Sequence, residues 1–129
     1  MRAMKAALLV VALFGQDFAD EKEYVERMRE IDHSFSVLQK HREVKRISDV
    51  EKEAEKLVVL FEQVEKFWKG RGDEESAGFA RMAKQGAEKA REAAEKSEEK
   101  ALQASIETIA HACEGCHREP LDKYRIPKK

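Results

Sequence analysis

The sequence predicts an all-α protein, an up-down-up-down bundle of four helices, on three observations. Charged residues make up 40% of the 129 positions and hydrophobic ones 42%, with two prolines and six glycines. That balance, rich in Ala, Glu, Lys and Leu, is a helical one. Apolar residues recur at alternating intervals of three and four, the period of one helical face. The segments carrying that period are joined by short links, which make successive helices antiparallel neighbours. The length suits one domain.

The first helix begins at Glu21. Tyr24, Met28, Ile31, Phe35 and Leu38 form its inner stripe, and it is expected to fade around His41 before a charged connector over residues 42–46. Ser48 with Glu51 three residues on reads as a capping box opening the second helix. The inner face there is Val50, Ala54, Leu57, Phe61, Val64 and Trp68, and Gly70-Arg71-Gly72 ends it. Asp73 caps a third helix, with Ser76 as its rival. Phe79, Met82, Ala83, Gly86, Ala90 and Ala93 face inward from it. These small side chains either let a neighbouring helix come close or leave space for something large and flat, in a cavity lined by Phe79, Ile109 and Leu57. No Gly or Pro divides the third helix from the fourth. A tight turn at residues 96–98 with Ser97 as N-cap is the expectation, since one helix of about forty residues would exceed the usual ~8–20. The fourth helix turns Leu102, Ile106, Ile109 and Cys113 inward, and Pro120 forbids its continuation. A basic tail with Lys123, Arg125, Lys128 and Lys129 follows.

The N-terminus differs in kind. Arg2 and Lys5 precede an uncharged, mostly apolar run over residues 6–15. A basic n-region followed by an apolar stretch too short to span a bilayer reads as a secretory signal. The expected division is a signal over residues 1–19 and a domain over residues 20–129, with no stable membrane insertion once the signal is removed. A cut after Gly15 is an alternative, because Asp17 fits the small-residue rule poorly. The formal charge of −1 gives no basic footprint for nucleic acid.

Both cysteines of the chain lie in Cys113-Glu114-Gly115-Cys116-His117. C-x-x-C-H is the attachment run of a c-type haem. Two thiols on one side of a helical turn can add to the two porphyrin vinyl groups, and the adjacent imidazole supplies the proximal axial ligand. Glycine at 115 leaves room where the porphyrin edge crosses the backbone. A thioredoxin-like couple needs a βαβ setting, and no strand pattern is present. A zinc site needs a second ligand pair. A structural disulfide would close a very small, strained loop. One covalent haem c through Cys113 and Cys116, with His117 on the metal, is therefore the expectation. Attachment outside the cytoplasm agrees with the export signal and gives a periplasmic address.

A haem run on the last helix of a small exported bundle resembles the cytochrome c′ family, the class II c-type cytochromes. The apolar spacing of residues 102–117, the pair Tyr124-Arg125 and the segment Met28-Arg29-Glu30-Ile31 extend the likeness over roughly residues 20–126. Tyr24 stands where the family often has an arginine, and residues 118–123 set Tyr124-Arg125 farther from the histidine than is usual. Arg27 and Arg125 are the candidate partners of the haem propionates. The resemblance implies electron exchange with redox partner proteins, no enzymatic turnover, and a homodimer through the first two helices. The exposed faces here are heavily charged and offer no apolar patch for the last of these.

Antiparallel first and last helices place the start of one beside the end of the other. Met28 lies about two turns into the first helix, ~12 Å at 1.5 Å per residue, on the inward stripe. Its thioether can be the distal ligand, giving a six-coordinate electron-transfer centre, or it can pack over an open face. The second arrangement would be a five-coordinate protein that binds gases such as nitric oxide or carbon monoxide. Met82 is the rival thioether, while His33 and His111 read as surface residues and His41 as part of the connector. A haem-free helical interaction module is the third reading.

Overall fold

The computed structural model describes residues 20–117. They form four helices, α1 (Glu21–Glu43), α2 (Ile47–Gly70), α3 (Glu74–Glu95) and α4 (Glu99–His117), with no strand among the described residues. The architecture is the four-helix bundle expected. The signal over residues 1–19 and the segment carrying Arg125 lie outside the described residues.

All three links share one construction. Each helix ends in a residue with positive φ, namely Lys45 at 61°, Gly72 at 77° and Ser97 at 55°. The N–H of the residue after it reaches back to the helix, Arg46 to His41 O at 2.8 Å, Asp73 to Trp68 O at 3.0 Å and Glu98 to Ala93 O at 2.8 Å. These paired back-bonds are Schellman closures, which satisfy carbonyls that the helix end would otherwise leave open. Only the middle link uses glycine at its left-handed position.

This construction corrects three details of the sequence reading. α1 runs on through Glu43, so His41 lies in its last turn and not in a connector. The turn at Lys45 then delivers Arg46 directly to the cap of α2. The helix begins at Ile47 without a side-chain cap, so the box expected from Ser48 and Glu51 does not form. Ser97 holds the left-handed position after α3, so it cannot be the extended N-cap of α4. Asp73 does cap α3, Oδ1 accepting from Ser76 N at 2.9 Å.

Consecutive helices pack on one another, α1 on α2, α2 on α3 and α3 on α4. α2 is therefore flanked on both sides. Its whole expected stripe is buried, and Leu60, Gln63, Glu65 and Phe67 are buried beside it. The small residues of α3 bring α4 close: a methyl on Gly86 would stand 2.9 Å from Ile109 Cγ1 and 3.3 Å from Thr108 Cγ2. Close approach, not an internal void, is thus what Ala83, Gly86 and Ala90 accomplish. Leu57 on α2 and Ile109 on α4, expected to line a cavity, are both 0% exposed.

α1 and α4 are joined differently. They share no comparable interface; Arg42 near the end of α1 donates to Glu99 Oε1 at the start of α4, at 2.7 Å from Nη2 and 3.0 Å from Nε. On the inner stripe of α1, Tyr24, Ile31 and Leu38 are buried, while Met28 and Phe35 are half-buried against the core. No described helix is long and apolar enough to cross a membrane.

Candidate functional site

The C-x-x-C-H run forms the last turn of α4, ending on His117. At 3.6 residues per turn, Cys113 and His117 lie four apart on one face, with Cys116 next to them around the helix. Cys113 and Cys116 form no disulfide and are half-buried, and His117 is exposed. Burial pushes the Cys113 thiol up to about 11, helped by the nearby charges of Cys116, Asp32 and Glu114. Asp32 is one turn beyond Met28 on α1, so its influence on Cys113 marks where α1 passes the motif.

α3 holds the other side of this turn. Gly115 is buried, and a methyl on its Cα would come within 2.6 Å of Phe79 Cδ1 and Cζ. Only glycine admits the ring there. Cys116 Sγ lies 4.0 Å from Ser76 O, and Ser76 is itself fixed by Asp73, whose Oδ2 accepts from Ser76 Oγ at 2.8 Å.

An aromatic group closes the same end of the bundle. Tyr24 and Phe67 stack with centroids 4.6 Å apart, and Trp68 meets both edge-on, at 5.4 Å from Tyr24 and 5.2 Å from Phe67. The Arg71 guanidinium lies 4.5 Å over the Phe67 ring. Phe67 and Trp68 are buried as the sequence stripe suggests.

The structure thus brings Cys113, Cys116 and His117 onto one turn, at the end of the bundle where α1 carries Met28. Arg27 pairs with Glu30 at 3.1 Å on the surface of α1. His33 and His111 are exposed, as expected of surface residues, and Met82 is half-buried on α3. Asp73, Ser76 and Phe79 as supports of the thiol turn were not legible from helical period. The one available signal was a glycine inside a helical turn, which asks for a close neighbour.

Two thiols and one imidazole on a single turn make a limited donor set. Among the described residues, no group of three or more His, Cys, Asp or Glu side chains gathers as a metal site. Comparison with family models, curated proteins and solved structures finds no match to this chain.

Proposed function

We propose that this chain is an exported periplasmic cytochrome that carries electrons through one haem c held by Cys113, Cys116 and His117. The observation that carries the reading is the ordered set of two thiols and an imidazole on the last turn of α4, beside a helix α1 that does not pack closely on it. The fit is directional. On the α3 side, Phe79 lies against Gly115. On the α1 side, half-buried Met28 and the Asp32 carboxylate face a seam without close helix packing. In this reading a planar group tethered to the turn would lie on its α1 side.

Cys113 and Cys116 would hold the group as thioethers, each S–H adding across a vinyl double bond, sulfur to one carbon and hydrogen to the other, with no oxidant consumed. His117, at the end of the helix, offers its imidazole as the proximal ligand. Met28 would be a second residue to hold the iron, and Arg27 and Arg125 would be the candidates to meet the propionates. Bound haem supplies a one-electron couple, and a His/Met ligand pair raises its potential toward electron transfer. Redox partner proteins are the implied partners.

The visible spectrum tests the ligand assignment. The reduced protein is expected to show the sharp α and β bands of a low-spin centre and to bind carbon monoxide slowly. Met28→Ala should broaden those bands and open rapid carbon monoxide binding. Identical ferrous spectra for the two proteins would remove Met28 from the metal. An open, rapidly binding wild type would then favour the gas-binding reading, and Met82→Ala would show whether the other thioether is the ligand.

A further inference from the structure

We infer that the start of α3 is a positioning seat for the thiol-bearing turn, and that Phe79 sets the direction in which Cys113 and His117 point. The inference rests on the proposed haem attachment for its purpose, but its geometry stands without it.

Successive residues of a helix are about 100° apart, so Gly115 lies about 200° from Cys113 and about 160° from His117 around the axis of α4. Gly115 is thus the back of the turn whose front carries the proximal ligand and the first thiol. The Phe79 ring bears on that back so closely that a methyl at position 115 would stand within 2.6 Å of three ring carbons. A flat ring against a bare Cα fixes the rotation of the last turn of α4 against α3. The front then faces α1, which agrees with the Asp32 charge acting on Cys113.

Cys116 occupies the flank, and its sulfur reaches toward Ser76 O at 4.0 Å. That carbonyl belongs to a residue held twice by Asp73, through its N–H at 2.9 Å and its hydroxyl at 2.8 Å. Asp73 anchors Ser76, Ser76 meets Cys116, and Phe79 meets Gly115. Phe79 is half-buried, whereas the neighbouring Ala77, Ala80 and Ala83 supply the buried surface of α3. A ring at this place serves the motif more than the core. Glycine within C-x-x-C-H is then required by Phe79.

The test reads each thiol separately. The haem-free full chain is treated with iodoacetamide, and alkylation of Cys113 and Cys116 is followed by mass spectrometry alongside the melting curve. Covalent haem yield is measured in parallel after export with the haem-attachment machinery. Gly115→Ala is expected to speed alkylation about tenfold, as overpacking frees the turn, and to lower haem yield. Phe79→Leu keeps apolar bulk but lacks the far ring carbons, so Phe79→Leu/Gly115→Ala should return both readouts toward wild type. A Gly115→Ala protein with wild-type thiol rates would overturn the inference. So would a double variant as perturbed as Gly115→Ala alone. A lowered melting temperature with unchanged thiol rates would reduce Phe79 to plain packing and also overturn it. A wild type without haem would instead defeat the proposed function, while the thiol rates would still report on the seat.

Discussion

The two seams that α4 could make are built from opposite materials. Against α3 it meets alanine and glycine, and the backbones close until Ile109 sits on Gly86. Against α1 the bridge is an Arg42–Glu99 ion pair with side chains 27% and 64% exposed, a kind of contact worth at most about 1 kcal/mol. Met28 and Phe35 of α1 stay half-buried beside the buried Tyr24, Ile31 and Leu38. Small side chains therefore close the α3 seam, whereas Met28 and Phe35 lie half-buried on a helix that packs on α2 and not closely on α4.

Truncating each seam in the haem-free protein measures the contrast. Ile109→Ala should cost about 2–5 kcal/mol, the range for a fully buried aliphatic side chain that leaves a cavity. Met28→Ala should cost less, about 1–2 kcal/mol, since its side chain packs on the core but is not fully buried. Denaturant unfolding checks both. Equal losses would mean that the α1 flank is as tightly packed as the α3 seam.

The α2–α3 side adds an acid-sensitive element. Glu65 is buried, which by itself raises its carboxyl. The hydrogen bond from Arg81 at 2.9 Å and the charges of Arg81, Lys84 and Lys69 outweigh this and hold it below its ordinary 4.5. A carboxyl lowered by folding contributes stability that is present above the unfolded value and is lost as pH falls through the folded one. Thermal melts should therefore fall off at acid pH, and Glu65→Gln should flatten that acid limb. Cys113 has the opposite sign. Its contribution is full below its ordinary 9.0 and disappears as pH rises toward about 11, so Cys113→Ser should weaken the alkaline loss in haem-free protein.

The smallest effects belong to the links. Lys45 and Ser97 hold left-handed geometry that glycine adopts more easily. Lys45→Gly and Ser97→Gly should each stabilise by about 0.5–1 kcal/mol, read as a shift in denaturant midpoint. Gly72→Ala should do the reverse.

Much of this was legible in the sequence, and what was not has physical causes. The intervals of three and four name a buried face wherever a helix has a neighbour on that face, so the stripe of α2 is buried throughout. The same rule overstates Met28 and Phe35, because period reports amphipathicity and not which neighbour arrives. The links misled for a local reason. Ser48 and Ser97 are good capping residues, but Schellman closures at Lys45 and Ser97 settle the helix ends with backbone bonds instead. Small residues on α3 allowed either a void or close approach, and only the position of α4 decides between them. The motif's place on the last turn of the last helix was legible. Its support by Asp73, Ser76 and Phe79 was not, since a contact between positions 79 and 115 leaves no trace in either helix's period.

The most direct test of the account is the mass of the exported protein after denaturation. Wild type made with the haem-attachment machinery should carry the added mass of one haem through acid or denaturant, and its band should stain for covalent haem. Cys113→Ala/Cys116→Ala should run at the bare polypeptide mass. A wild-type chain at the bare mass, or a double variant that still holds haem covalently, would contradict the account.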